Sequence, residues 1–367
     1  MSSAPLNSKI RVGLLGATGM VGQRFVQLLE KHPWFEVTCL AASERSAGKT
    51  YGESAGERWA QKTPIPKNLL DQKVFDVEKD MKAISDRVDF VFSAMSLNKE
   101  KVRQIEDSYA GQGVPVVSCN SAHRWTEDVP MLIPEINHEH IALIDTQRKN
   151  RGWSKGLIAV KPNCSIQSYV PVLDALRRFG LKKVVVSTYQ AISGAGKTFQ
   201  TWPEMIDNIN PFISGEEKKS EDEPLKIWAH FRNGKLVLAT EPVISATCIR
   251  VPVTDGHMAS VSVEFQNKPS RDEILTELQN YKNPIENLKL PSSPEKFLVY
   301  YEQEDRPQTA LDRDLGHGMT IGIGRFRPDP VLHWKFVALS HNTLRGAAGG
   351  AVLIAELLVQ KVYIEKK

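Results

Sequence analysis

A cysteine, a histidine and an arginine stand where they could do covalent chemistry on a carbonyl carbon. Cys164 lies in Lys161-Pro162-Asn163-Cys164-Ser165-Ile166-Gln167, after the apolar run Gly156 to Val160 and before the amphipathic pattern Tyr169 to Leu176. That order reads as a strand, a tight junction and a helix, which puts Cys164 at a helix start. The partial positive charge of a helix N-terminus favours the thiolate, the form that attacks carbonyl carbon. The other reading of a single cysteine is a small buried hydrophobe. A nucleophile needs a base and an orienting group. Among nine histidines, His257 follows Arg250-Val251-Pro252-Val253-Thr254-Asp255-Gly256 and precedes a strand pattern, so Arg250 and His257 stand at opposite ends of one loop. A histidine beside a sulfur can serve as base, acid and electrostatic partner. On its own it reads as a structural or surface residue. No grouping of His, Cys and carboxylates has the spacing of a structural metal site.

Such residues need a scaffold, and 367 residues exceed the size at which single cores stop growing, so two domains are expected. The hydrophobic and charged fractions, 41% and 25%, are those of a soluble globular protein. A net charge of +4 with both signs interspersed suggests neither nucleic acid nor a membrane surface as partner. The cysteines at 39, 119, 164 and 248 form no C-x-x-C pair, which fits a reducing compartment. Met1-Ser2-Ser3-Ala4-Pro5 lacks the regions of a signal peptide, and no apolar run is long enough to span a bilayer. A cytoplasmic protein is expected.

The first elements read clearly. Lys9 to Gly16 is a strand signal that runs into a turn with Gly16, Gly19 and Gly22, after which Val21, Phe25, Leu28 and Leu29 recur at helical spacing. Glycines so placed let the chain turn sharply, admit a pyrophosphate to backbone amides and bring helix and strand together. The spacing is G-x-x-G-x-x-G, so a mere packing turn is the alternative. The second strand, Phe35 to Ala42, ends in Ser43-Glu44-Arg45-Ser46. Hydroxyls and a guanidinium suit a 2′-phosphate and hence NADP, whereas Glu44 would suit NAD or a solvated loop. Strand-like runs at Val88 to Ala94 and Val114 to Ser118, with the helical stretch Lys99 to Tyr109 between them, complete a doubly wound parallel sheet of Rossmann type. Small polar residues follow its strands: Ser93, Ser96 and Asn98 after one, Cys119, Asn120, Ser121 and Arg124 after the other. Arg124 is a candidate oxyanion binder or simply an exposed loop cation.

Beyond Cys164 the runs Lys183 to Gln190, Ala259 to Phe265, Leu298 to Tyr301 and Thr320 to Gly324 are rich in strand formers and indicate a mixed α+β domain. The charge run Gly215 to Pro224 reads as a solvated helix face. The apolar stretch Gly346 to Val359 reads as a helix that packs back on the first domain.

Taken together, the Gly16 to Gly22 turn, Asn163-Cys164-Ser165, Tyr189 to Gly196, the run from Glu216 to Lys226, Arg250 with His257, Arg306-Pro307-Gln308, and Asn342 with Arg345 to Ala348 resemble aspartate-β-semialdehyde dehydrogenase. Asp312-Arg313-Asp314 and the region to Gly324-Arg325 are similar to its archaeal and fungal branch. The resemblance implies an acylated Cys164, an acid-base His257, and a Gln190 that helps hold substrate and cysteine. It implies Arg250 on the substrate α-carboxylate, Glu216 near its amine, and Lys219, Asn120 and Arg124 on phosphate. A one-residue slip in the charge run would choose Glu217 or Lys218 instead. NADP would meet Gly16, Thr18, Gly19, Met20, Val21, Ser43, Arg45, Ser46, Ser93, Ser193, Gly194 and Asn342. Residues 1–160 would form the NADP-binding domain, 161–341 the catalytic and dimerisation domain, and 342–367 a C-terminal helix returning to the first.

The implied reaction is NADPH-dependent reduction of β-aspartyl phosphate to aspartate semialdehyde through a cysteine thioester, with release of phosphate. It serves lysine, methionine, threonine and isoleucine biosynthesis, in a homodimer or homotetramer. Related acyl reductases act on N-acetylglutamyl phosphate or malonyl-CoA. From other classes, a cysteine hydrolase or a nucleotide-binding regulator without chemistry remains open.

Overall fold

The apolar runs of the first half form six parallel strands: β1 (Ile10–Leu15), β2 (Phe35–Ala42), β3 (Val74–Asp76), β4 (Phe90–Ser93), β5 (Val116–Ser118) and β6 (Ile158–Val160), in the order β3-β2-β1-β4-β5-β6. The structure is a computed structural model that describes residues 8–367; Met1 to Pro5, read above as carrying no leader, lie outside them. The strand order reverses between β1 and β4, the arrangement of a Rossmann-type sheet, whose ligand crevice lies beyond the carboxyl ends of the strands. Both faces are covered, so the strands are apolar on both sides. Val12, Leu14, Phe90, Phe92 and Ala159 face the helices Met20–Leu29 and Ala348–Gln360, while Leu15, Val91, Val116 and Ile158 face the core shared with the second sheet. β3 was not among the expected strands, because three residues are too few to show a period.

The second sheet comprises β7 (Leu181–Gln190), β10 (Val243–Arg250), β11 (His257–Phe265), β12 (Leu298–Tyr301), β13 (Ile321–Pro328) and β14 (Trp334–Ser340), in the order β10-β7-β11-β14-β13-β12. β8 (His230–Arg232) and β9 (Lys235–Val237) form a separate hairpin. β7 runs parallel to β10 and antiparallel to β11, so the sheet is mixed. Its topology sets the chemistry in place. Gln190 ends β7 opposite Arg250 at the end of β10, and His257 opens the antiparallel β11 beside them. The three side chains therefore leave one edge of the sheet.

The C-terminal helix Ala348–Gln360 is buried on nearly every side, as a helix apolar all round must be. Its one carboxylate, Glu356, is fully buried and accepts from the Ser292 hydroxyl at 2.6 Å and meets His32 Nε2 at 2.8 Å. No helix among the described residues is long and apolar enough to cross a membrane.

The glycine turn after β1 is tight for a stated reason at two positions. Gly16 has φ +90°, and a Cβ there would lie 2.4 Å from the Ala94 carbonyl oxygen. A Cβ on Gly22 would lie 2.3 Å from the Gly16 carbonyl oxygen, whereas one on Gly19 would meet nothing closer than 3.5 Å. Gly22→Ala is therefore expected to lower stability by about 1–3 kcal/mol through overpacking against backbone, and Gly19→Ala to stay within about 0.5 kcal/mol of wild type. Urea denaturation of the two variants checks this; equal losses would remove the packing role of Gly22.

Candidate active site

Cys164 sits where the chain leaves β6 and crosses toward the second sheet. Its thiol Sγ lies 3.5 Å from His257 Nε2. Cys164 does cap a helical segment, as expected, but that segment is a short 3-10 turn, Ser165–Ser168, and the α-helix that follows, Val170–Ala175, is only six residues long. A dipole of that size, starting that far downstream, cannot hold a thiolate. Burial instead raises the thiol, with the nearby Glu216 carboxylate adding to the rise and Lys161, Arg124 and Arg250 opposing it. His257 is fully buried, and burial, reinforced by the charge of Arg250, lowers its ring to about 3. The resting pair is thus a neutral thiol and a neutral imidazole. His257 Nδ1 accepts the Ala191 N–H at 3.1 Å, which leaves the ring proton on Nε2, facing the sulfur.

Around this pair the charge run has become a mostly buried face rather than a solvated one. In the helix Glu216–Ile227, the positions Glu216, Ser220, Glu223 and Ile227 are buried, one stripe at helical spacing. Pro224 lacks the N–H that would reach the Ser220 carbonyl, and the Tyr169 hydroxyl donates to that carbonyl at 2.8 Å instead. Glu216 accepts from Asn163 Nδ2 at 3.0 Å, Lys219 Nζ at 2.7 Å and Gln190 Nε2 at 3.3 Å. Burial alone would raise this carboxyl, but Lys219, Asn163 and Gln190 outweigh it and hold the group below its usual range. The neighbours point away from this cluster: Glu217 turns to the Cys248 N–H and Lys218 pairs with Asp222 in solvent.

Two arginines differ in what is left to them. Arg250 is buried, gives one N–H to the Ala191 carbonyl at 2.7 Å, and pairs with no acidic side chain among the described residues. Gly194 presses on it, because a Cβ there would meet Arg250 Nη1 at 2.8 Å and His257 Nε2 at 3.0 Å. Arg124, a candidate oxyanion binder rather than an exposed loop cation, is buried and donates to Glu223 at 2.9 Å, to the Lys161 carbonyl at 3.0 Å and to the Cys119 carbonyl at 3.3 Å. Its other N–H groups have no partner among the described residues. Glu223, absent from the sequence reading, also takes the Asn163 N–H at 2.6 Å and so ties Arg124 to the nucleophile turn. Its signal was there in the spacing of seven residues from Glu216.

At the carboxyl ends of β1, β2 and β4 lies a cavity of about 430 Å³, lined by Gly16, Thr18, Gly19, Ser43, Arg45 and Ser46. The helix Met20–Leu29 above it has no side-chain cap, which leaves its first N–H groups to an anion. These features fit a dinucleotide. Glu44 turns aside to Lys79 at 2.5 Å, so the acidic residue that would have suited a 2′-hydroxyl is otherwise engaged. Lys49 and Arg58 also line the cavity; neither was foreseen, since their elements are not periodic.

Other expected contacts act differently. The side chains of Met20 and Val21 are not in the cavity wall and Val21 packs against the core, so it is their N–H groups, the first of the uncapped helix, that are left to a ligand. Ser93 is fully buried and accepts from Asn120 Nδ2 at 2.9 Å, while Ala94, Met95 and Ser96 line the cavity in its place. Asn120 also reaches Glu106, which burial pushes up to about 7. Asn342 Nδ2 donates to the Ser193 hydroxyl at 2.8 Å and its oxygen accepts the Gly256 N–H at 2.8 Å. Ser193 and Asn342 thereby brace the loop that ends in His257.

Residues 11–144 match the NAD binding domain of semialdehyde dehydrogenase, and residues 171–345 match its dimerisation domain. The Archaeoglobus fulgidus aspartate-semialdehyde dehydrogenase is 45% identical over 96% of this chain and 99% of its own. The malonyl CoA reductase (NADP) of Metallosphaera sedula is 36% identical over 98% of this chain and 99% of its own. The crystal structure of aspartate semialdehyde dehydrogenase with NADP from Candida albicans superposes at a TM-score of 0.86 and 38% identity, covering 97% of this chain and all of that one. Alike along its whole length in sequence and in fold, the chain belongs to the aspartate-semialdehyde dehydrogenase family.

Proposed function

We propose that this protein reduces β-aspartyl phosphate to aspartate β-semialdehyde with NADPH, through a thioester on Cys164, and releases inorganic phosphate. The observation that carries this reading is the contact of Cys164 Sγ with His257 Nε2 at 3.5 Å, flanked by a buried arginine without an anion and a buried carboxylate. Sulfur attacks the acyl carbon, the C–S bond forms, the C–O bond to phosphate breaks, and the thiol proton leaves with the phosphate as hydrogen phosphate. The unengaged N–H groups of Arg124, with Lys219 and Asn120, receive the leaving phosphate. Bound NADPH supplies a hydride to the thioester carbonyl carbon. His257, its proton already on Nε2, donates that proton to the oxygen as the hemithioacetal forms; on collapse the C–S bond breaks, the proton returns from the oxygen to Nε2, and the sulfur leaves as thiolate and regains a proton from solvent.

Arg250 offers a planar fork to the substrate α-carboxylate, which would be the anion its buried guanidinium lacks. Glu216 faces the α-ammonium. N-acetylglutamyl phosphate or malonyl-CoA would bring no ammonium to Glu216, which favours the amino-acid phosphate. Residues 1–160 and 342–367 serve the cofactor, and 161–341 the substrate and a second copy of the chain. The outer face of the second sheet supports the homodimer, since Val185 and Val243 are 50% and 67% exposed on the neighbouring strands β7 and β10. Four unpaired cysteines fit the reducing cytoplasm.

Cys164→Ala is expected to abolish turnover while NADP binding and the unfolding transition stay at wild-type values, because no other group replaces a covalent nucleophile. Phosphate-dependent oxidation of aspartate semialdehyde, followed by NADPH absorbance, checks it; substantial residual activity would take Cys164 out of this role.

Arg45→Ala should lower kcat/KM with NADP much more than with NAD, since only a 2′-phosphate uses the guanidinium. An unchanged ratio would place that phosphate at Lys49 or Arg58 instead.

Arg250→Lys keeps the charge but not the fork, so it should raise KM for the semialdehyde with kcat less affected. His257→Asn should lower kcat by about 10²–10⁴-fold with little change in substrate affinity. Because the His257 ring sits at about 3, it stays neutral across neutral pH, and the wild-type rate should show no histidine step near its ordinary value of about 6.5. Steady-state kinetics across pH on both variants reads all three; near-normal turnover of His257→Asn would move the proton donor to another residue.

A further inference from the structure

The mechanism above leaves Lys161 without a task, although it is 2% exposed and stands three residues before Cys164. Its backbone is fixed, with the N–H on the Ser118 carbonyl at 2.9 Å and the carbonyl accepting Arg124 Nε at 3.0 Å. Its ammonium finds a single acceptor, the Pro162 carbonyl at 3.1 Å, and no carboxylate among the described residues pairs with it. Lys226 is a useful contrast. Equally buried, it donates to the carbonyls of Arg124, Thr126 and Val129, the full set a structural ammonium takes. The fold also makes room for Lys161: a Cβ on Gly350, in the first turn of the C-terminal helix, would meet its Cε at 2.8 Å.

The bonds of Lys161 to the Ser118 and Pro162 carbonyls hold it between the end of β5, which Cys119 follows, and the turn that carries Cys164. The two thiols favour its charged form while Arg124 and Arg345 oppose it, and at the Cys164 sulfur, which His257 contacts, Glu216 favours the thiol while Lys161, Arg124 and Arg250 favour the thiolate. An ammonium buried without an anion is unfavourable unless the site itself generates one. The thiolate is the anion this site must make.

We propose that Lys161 is a positioning residue of the reaction, a fixed cation that acts through Cys164 by holding its sulfur as the thiolate. Burial, offset by the two thiols, brings the amine to about 7, and among the groups that oppose the raised thiol Lys161 has the largest effect. This rests on Cys164 as the nucleophile. It assigns to a buried lysine the stabilisation that the short 3-10 turn after Cys164 does not provide.

The test is the rate of Cys164 alkylation by iodoacetamide against pH, mapped to the peptide by mass spectrometry, in wild type, Lys161→Met and Lys161→Gln. Both variants should fold, and Lys161→Met should be at least as stable as wild type, because a buried unpaired charge is removed. In both, the alkylation midpoint should move up by about one pH unit or more, with alkylation at neutral pH about tenfold slower and turnover falling in parallel. An unchanged profile overturns the proposal. So does a normal profile in Lys161→Gln alone, which keeps a donor for Pro162 and would assign the role to that hydrogen bond. Failure of both variants to fold overturns it as well, by making Lys161 structural. If instead Cys164→Ala turned over like wild type, the reading of the nucleophile would be at fault rather than that of Lys161.

Discussion

The buried carboxylate of Glu216 ties together the parts of the site that come from different elements. It accepts from Asn163 on the nucleophile turn, from Gln190 at the end of β7 and from Lys219 one turn along its own helix. A buried carboxylate with fewer donors would neutralise itself by taking a proton. Here three donors keep it charged, and the requirement that all three reach it fixes the cysteine turn against the second sheet. Glu223 repeats the arrangement two turns further along the same helical face, holding the Asn163 N–H and Arg124 together. Loss of either carboxylate would strand a buried donor set as well as a contact.

The same burial explains the electrostatic state of the chemistry. Sulfur and imidazole are both neutral at rest, since burial raises one and lowers the other. Arg250 is the exception: a buried guanidinium can be neither desolvated cheaply nor deprotonated, and among the described residues it has no acidic partner. In the proposed reaction the α-carboxylate of the substrate would supply the anion that completes such a site.

Much of the scaffold was legible because its periods are local. The change from period 2 to period 3.6 across Gly16, Gly19 and Gly22 marks the first strand, turn and helix, and the Arg250 to His257 loop leads into β11 as the sequence placed it. β3 carries too few residues for a period, and β10 and β14 were passed over. What sequence could not reveal is tertiary. The dipole argument for Cys164 failed because the helix after it is short and late, which depends on Pro171 and on packing. The family resemblance implied Ser93 and Asn342 as cofactor contacts, and no local pattern reveals that their side chains bond Asn120, and Ser193 with Gly256, in the fold. The charge run looked solvated because its residue types hide a buried stripe that only the spacing of Glu216, Ser220 and Glu223 betrays.

The claim on which the account stands is that Cys164 carries the aspartyl group. Wild-type protein mixed with β-aspartyl phosphate in the absence of NADPH, quenched in acid and digested, should show one aspartyl group on the peptide that contains Cys164, labile to hydroxylamine as a thioester is and discharged as aldehyde when NADPH is added before the quench. An unmodified Cys164 peptide under conditions in which phosphate is released, or an aspartyl group on any other residue, would contradict it.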